Sequence, residues 1–449
     1  MFRIDAGSTS RYCDGLSRRS FLKVGVAGMA SAALGDVLAA KAASAPAAGS
    51  KDTACILIWL DGGPGHMDTY DMKPDAPAEY RGLWKTIPTN VPGFHVTELF
   101  PRQARVADKF SIVRSLHHDT GDHFTAGHVM LTGRAGRVSG ANLEGEYPCI
   151  GSIVAKTRGP IAPGLPAYVA VPHAASIGLR PGYFGANYLG VPYNPFETNG
   201  DPNAAQFQVS NLGLTGGLTV EKLEDRRSLA GHFDRVRRDV DRTGTFDAMD
   251  RFNREAFDLV TGPAARKAFD ISTEDPRLRD RYGRHSWGQS TLLARRLVEA
   301  GVTFTTVHLG GWDHHWDLKA GYENYLPKVE ALFSDLDDRG LLEKTLVVLC
   351  GEFSRTPKMN DGSGKGTPGR DHWGNSMFCL VGGGGVKGGR LVGSTDRLGT
   401  APKDLPLTVP DLHATIYHVL GVDPHTSFLD RTGRPVPASD RTEPIAELF

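Results

Sequence analysis

The chain has no long hydrophobic run, no surplus of charge of either sign and few cysteines, and each shortage excludes a class of protein. No stretch reaches the roughly 20 apolar residues that a membrane-spanning helix needs, so the sequence predicts a chain without a transmembrane segment. The 449 residues hold 51 Lys and Arg against 51 Asp and Glu. That balance argues against nucleic acid as the main partner. Five cysteines are too few and too scattered for a disulfide framework. Cys55, Cys149, Cys350 and Cys379 read as buried free thiols, three of them in apolar, strand-like runs. There is no internal repeat, and the Gly382-Gly383-Gly384-Gly385 run lacks the Gly-Lys-Ser/Thr ending of a phosphate loop, which leaves a flexible turn.

The amino terminus carries Ser17-Arg18-Arg19-Ser20-Phe21-Leu22-Lys23 ahead of a mildly apolar stretch, Val24 to Ala40. Small-residue sites such as Ala40-Lys41-Ala42 and Ala43-Ser44-Ala45 follow. Paired arginines, an apolar stretch and a cleavage site in that order predict a twin-arginine signal peptide over residues 1–45. It would be read by the twin-arginine translocase and would make the mature protein periplasmic or secreted. Residues 46–53 read as a linker. Removal of the leader leaves 45 basic against 48 acidic residues. About 400 residues remain, enough to bury the core of one large α/β domain.

From Ala54 to Leu60 the chain is continuously apolar and bounded by turn residues, as expected of a strand buried on both faces of a parallel sheet. Similar runs recur at Ser111 to Val113, Ala167 to Val171, Val302 to Val307, Thr345 to Cys350 and Met377 to Val381. Helix-period segments lie between several of them, notably Ser286 to Ala300 and Asn324 to Leu336. The alternation predicts a doubly wound, mostly parallel sheet sandwiched by helices over residues 54–449. The stretch from about 197 to 285, rich in Arg, Asp and Glu, reads as a mostly helical insertion.

In such sheets function gathers beyond the carboxyl ends of the strands. There the sequence places Asp61-Gly62-Gly63-Pro64-Gly65-His66-Met67-Asp68, then His308-Leu309-Gly310-Gly311-Trp312-Asp313-His314-His315, then Gly351-Glu352-Phe353-Ser354-Arg355, with Arg370-Asp371-His372-Trp373 a little further on. Any one cluster has a structural explanation, such as a turn cap or an ion pair. Together they are carboxylates that would repel and take up protons without a cation between them. Mixed oxygen and imidazole donors suit Zn, Mn or Fe, and an all-oxygen subset suits Ca or Mg. A further cluster, His117-His118-Asp119 through Asp122-His123-Phe124-Thr125-Ala126-Gly127-His128, follows the second strand. In it His123 or Thr125 is expected to face the metal.

Leu131-Thr132-Gly133-Arg134 resembles the end of the sulfatase stretch that begins with the catalytic cysteine. Leu60-Asp61-Gly62-Gly63 is similar to the first-strand metal aspartate of the alkaline phosphatase superfamily. Asp337 to Leu349 looks like the segment leading to the sulfatase Ser-Asp-His-Gly motif, and Val409 to Val422 resembles the carboxyl-terminal helix of the sulfatase core. More closely, residues 54–424 resemble domain of unknown function 1501, through Gly62-Gly63-Pro64, Trp312-Asp313, Gly351-Glu352-Phe353, Arg355-Thr356-Pro357 and Arg370-Asp371-His372. The resemblance implies an alkaline phosphatase/sulfatase-like fold. It also shows departures. His123 stands where a sulfatase has its cysteine and Gly127 where the motif has arginine, so the formylglycine nucleophile is absent. Glu352-Phe353 replaces an Asp-His pair, keeping the carboxylate and losing an imidazole.

The function expected is hydrolysis of phosphate or sulfate esters, or a related small anionic substrate, at one or two divalent ions. Asp61, His66, Asp313, His315, Glu352, Asp371 and His372 are the expected ligands. A metal lowers the pKa of bound water to roughly 7, which removes the need for a protein nucleophile. His123 and Thr125 are the expected catalytic side chains, as general acid or nucleophile. Arg134, Arg355 and Arg370 are expected to hold substrate oxygens. The alternative is an exported metal-binding or structural protein on the same fold, without turnover.

Overall fold

The computed structural model describes residues 52–136, 138, 144–209, 212, 258–259 and 262–449. The expected leader and most of the expected helical insertion lie outside the described residues.

The principal strands are β1 (Ala54–Asp61), β2 (Phe110–His117), β3 (Tyr168–Val171), β4 (Phe196–Glu197), β5 (Phe304–Gly310), β6 (Thr345–Cys350), β7 (Met377–Gly382), β8 (Leu391–Val392) and β9 (Leu407–Thr408). They form one nine-stranded sheet in the order β8-β2-β7-β6-β1-β5-β3-β4, with β9 also paired to β2. β1 lies in the middle, parallel to β5 on one side and to β6 on the other. All eight of its residues are buried. Its side chains divide by parity, because successive residues of a strand point to opposite faces. Ile56, Ile58 and Leu60 join one core with Leu292, Leu293 and Leu297, whereas Cys55, Leu57 and Trp59 join the other with Ile153, Val154, Ile416 and Leu420. Helices therefore cover both faces, and the fold is a doubly wound, mostly parallel α/β sheet.

The helices used below are α1 (His123–Thr132), α2 (Ile150–Arg158), α3 (Ser286–Ala300) and α4 (Val409–Leu420). α3 spans the residues its periodicity predicts and ends on Gly301 in the left-handed region. The helix expected from Asn324 to Leu336 is instead broken. One helix closes at Tyr325, a single 3-10 turn with Pro327 at its start follows, and a second helix begins at Leu332. Proline has no N–H to continue the ladder, so the apolar period survives while the helix does not. The four cysteines among the described residues are free and buried. No helix among the described residues is long and apolar enough to cross a membrane.

One strand runs against the rest: β7 is antiparallel to both β2 and β6. The rim that collects the carboxyl ends of β1, β2, β5 and β6 therefore receives β7 at its amino end. The loops that follow four parallel strands and the segment that precedes β7 meet there.

Candidate metal centre

At this rim three imidazoles and one carboxylate converge. Asp313 follows β5, His315 lies two residues further on, His123 is the first residue of α1, and His372 sits on a short ribbon pairing His372–Trp373 with Ser354–Arg355. Asp313 Oδ1 lies 3.1 Å from Nε2 of His372 and 3.1 Å from Nε2 of His315. Its Oδ2 lies 3.4 Å from Nε2 of His123. The Nε2 atoms of His315 and His372 are 3.0 Å apart. Ligand atoms of His123, Asp313 and His372 all fall within 4.8 Å of one another, the spacing of a group that can hold a metal ion.

What each imidazole does with its other nitrogen fixes the chemistry. Nδ1 of His123 is 2.6 Å from Glu352 Oε1, Nδ1 of His315 is 2.6 Å from Asp371 Oδ1, and Nδ1 of His372 is 2.7 Å from the Gly121 carbonyl oxygen. All three partners are acceptors only, so each Nδ1 carries the hydrogen and each Nε2 turns a lone pair toward the others. Such a set is held together by protons or by a cation. The donors fit a metal, since imidazole ligands ordinarily give their outer N–H to a carboxylate or backbone carbonyl. Without the ion a proton does the same work. Burial opposes protonation of His123, yet Asp313 and Glu352 together raise its pKa to about 9.

The surrounding residues hold these four in place. Burial would favour the neutral acid at Asp313, but His123, His372 and Arg355 outweigh it and hold the carboxyl well below the usual range. Arg355, fully buried, gives one N–H to Asp313 Oδ1 at 2.6 Å and others to the carbonyl oxygens of Gly63 at 2.8 Å, Arg370 at 3.2 Å and Gly62. Glu352 is wholly buried, and its two oxygens accept the Gly62 N–H at 3.0 and 3.1 Å. Burial raises its pKa. Gly62 has φ +111°, and a Cβ there would lie 2.6 Å from the Asp313 backbone nitrogen. Only glycine lets the loop after β1 pass this close to Asp313. The Phe353 ring packs against both His123 and His372, at centroid distances of 4.9 and 4.5 Å. It closes the apolar side, while Asp313, His315 and His372 keep part of their surface open to solvent.

The expected site residues thus separate. His123, Asp313, His315 and His372 come together, with Glu352 and Asp371 one layer behind as acceptors for His123 and His315. Asp61 stands apart from the four. Its Oδ1 accepts from Ser176 Oγ at 2.8 Å, its Oδ2 from the Ile177 N–H at 2.8 Å, and His308 Nε2 lies 3.1 Å from Oδ2. Burial opposes its ionisation, but these contacts together lower its pKa. His66 is buried between Ser354 Oγ at 2.6 Å and the Gly399 carbonyl at 2.8 Å, and burial lowers its pKa. Thr125 belongs to the cap of α1, with its N–H and hydroxyl on Asp122 Oδ1 at 2.8 and 2.9 Å.

None of the three arginines has donors left for a substrate: those of Arg355 go to Asp313 and to the carbonyls of Gly62, Gly63 and Arg370. Arg370 is consumed by Asp68 at 2.8 Å and by the carbonyls of Thr356, Pro357, Tyr80 and Arg81. Arg134 reaches Asp440 and the Pro437 carbonyl near the carboxyl terminus. Three residues outside the expected ligand and catalytic sets also take part, Ser176 and two histidines of the sequence clusters, His308 beside Asp61 and His118, whose Nε2 is 2.7 Å from the Glu352 carbonyl. His308 lies two residues before the end of β5 and opens the sequence cluster there, but no feature of the sequence sets it beside Asp61.

Among solved structures the chain is similar to the PsFucS1 sulfatase from Pseudoalteromonas sp., at 13% identity over 82% of this chain and 68% of that one, with a TM-score of 0.37. It is also similar to the lipoteichoic acid synthase LtaP from Listeria monocytogenes, at 9% identity over 83% of this chain and 72% of that one, with a TM-score of 0.33. No curated protein matches the sequence. The family described as protein of unknown function, DUF1501, matches residues 52–449, and the chain belongs to that family.

Proposed function

We propose that the protein is an exported, metal-dependent hydrolase of phosphate or sulfate esters, or of a related anionic substrate, with one divalent ion held by His123, Asp313, His315 and His372. The observation that carries this reading is the commitment of all three Nδ1 atoms to acceptors, which leaves three Nε2 lone pairs crowded around one ionised carboxylate. Three nitrogens and one oxygen favour Zn, Mn or Fe over Ca or Mg. When bound, the ion supplies a Lewis acid and lowers the pKa of water to about 7.

The chain's own residues set the geometry. Glu352, Asp371 and the Gly121 carbonyl fix the three rings, Arg355 keeps Asp313 ionised, and Phe353 excludes water from one side. Thr125 is held by its cap, so no hydroxyl or thiol of α1 is offered as nucleophile and the attacking group is water. Export through the twin-arginine leader at residues 1–45 is part of the proposal. It accords with a protein that takes up its metal before it crosses the membrane.

The test is metal analysis of the purified protein, followed by assays on aryl phosphate, phosphodiester and sulfate ester substrates. About one equivalent of a transition metal is expected, lost in Asp313→Ala together with turnover. A protein that binds no divalent ion sinks the reading. Stoichiometric metal without turnover of any ester would place the protein with the non-catalytic alternative. Export is checked by fractionation of cells carrying the native leader and a leader with Arg18 and Arg19 both changed to lysine.

A further inference from the structure

Six tryptophans occur in the chain, and one of them, Trp316, leaves a large share of its surface in water, at 38% exposure. It is the residue next to His315, and the two rings lie 6.2 Å apart. Lys365 Nζ sits 4.8 Å from the centre of the indole. We propose that Trp316 and Lys365 form a binding subsite at the rim of the metal centre for a ring that carries a negative charge, as part of the substrate.

The first support is rigidity. The two segments that present these side chains are joined by backbone hydrogen bonds from Arg370 to His314 at 3.0 Å, from Asp317 to Thr367 at 3.0 Å and from Leu318 to Pro368 at 3.3 Å. Asp317 Oδ1 also accepts the Thr367 N–H and hydroxyl at 3.1 and 3.0 Å. Asn360 ties the same loops, giving its amide to the His315 carbonyl at 3.0 Å and accepting from Gly362 and Gly369 at 2.9 and 3.0 Å. A Cβ at Gly369 would lie 2.2 Å from the His315 carbonyl carbon, so the loops are packed backbone on backbone. The segments that carry His315, Asp371 and His372 therefore carry Trp316 and Lys365 on the same frame.

The second support is chemistry. Lys365 lies over the indole ring, and the surface that the ring still exposes is flat and apolar, of the kind that receives a sugar or aromatic ring. The ammonium beside it adds a preference for an anionic substituent on that ring. The buried Arg355 and Arg370 are already spent on carbonyls and carboxylates, whereas Lys365 is exposed. Two sources share this chemistry, a sugar acid and an aromatic acid.

This inference rests on the hydrolase reading only for what happens next to the ring; binding is read without turnover. The experiment titrates the full mature protein with glucuronate and benzoate, and with their neutral counterparts glucose and benzyl alcohol, following tryptophan fluorescence and the heat of binding. The acid is expected to bind more tightly than its neutral counterpart and to quench the fluorescence. Which of the two acids does so identifies the source. Trp316→Ala removes the quench and weakens binding on the order of fivefold, Trp316→Phe restores much of the affinity, and Lys365→Met removes the preference for the acid. Equal affinity for acid and neutral ring, an unchanged quench in Trp316→Ala, or no binding of any probe overturns the proposal. Binding by a protein that hydrolyses none of the esters leaves it standing and sinks the hydrolase reading alone.

Discussion

Nδ1 of His123 and Oε1 of Glu352 lie 2.6 Å apart, and the same carboxylate takes the Gly62 N–H on both oxygens. The wholly buried Glu352 therefore couples the loop after β1 to the first residue of α1. It turns the other nitrogen of His123 toward Asp313. Replacing Glu352 with glutamine keeps the size of the side chain but weakens its hold on the imidazole N–H. Metal affinity is expected to fall by about 10–100-fold, measured by competition against a chelator of known affinity. An affinity equal to that of the unaltered protein would show that His123 needs no such anchor.

Arg370 and Arg355 make the opposite prediction. Both are fully buried and bonded to backbone carbonyls as well as to a carboxylate. Lysine brings one point charge where the guanidinium fork serves several acceptors. Arg370→Lys is expected to leave Asp68 and the carbonyls of Tyr80 and Arg81 poorly satisfied. The cost is about 3 kcal/mol, read from the denaturant midpoint at constant slope. A stability within error of the unaltered protein would return Arg370 to the role of a substrate-binding group.

The strands and α3 were legible because apolar runs bounded by turns depend on local chemistry alone. Asp313 and Glu352 were legible for a related reason: each lies just past a parallel strand, where the topology must bring it to the rim. His372 is at the rim for a reason no local pattern states. It precedes β7, and only the antiparallel direction of that strand puts its amino end there. The division between the residues that converge and those behind them was not legible, because it depends on side-chain reach between segments far apart in the chain, 229 residues between His123 and Glu352 and 251 between Gly121 and His372. Charge alone also misleads about arginine. Three arginines near conspicuous motifs looked like anion holders, yet the carbonyls and carboxylates packed around them had already claimed their donors.

Asp61 holds a loop. Its two oxygens anchor Ser176 and Ile177, and Ile177 adopts φ +46°, a left-handed conformation that a β-branched residue takes only at a cost. That strain is on the order of 1–3 kcal/mol and persists because the buried carboxylate fixes the turn. Asp61→Ala is expected to free residues 174–180. Protease cleavage and amide exchange there should rise by about tenfold or more, while the metal content of the site formed by His123, Asp313, His315 and His372 is retained. Loss of the metal together with an unchanged loop would mean that Asp61 is a ligand after all.

The last prediction concerns acid stability and a histidine far from the rim. His413 in α4 is buried, its Nε2 gives its hydrogen to the Met130 carbonyl at 2.8 Å, and its Nδ1 has no partner. Protonation would put a second N–H into the core with no acceptor, and burial accordingly depresses the pKa to about 4 from 6.5. Between those values the unfolded chain binds a proton here that the folded chain refuses. Stability therefore falls as the pH drops through that window and is whole above it, a loss of up to about 3 kcal/mol. His413→Gln keeps a donor for Met130 but cannot titrate. Urea unfolding at pH 7.5 and pH 4.5 should show the gap in stability between the native chain and this variant narrowing or reversing at the lower pH. A gap that stays constant across the two conditions would show that His413 contributes nothing to the acid sensitivity of the fold.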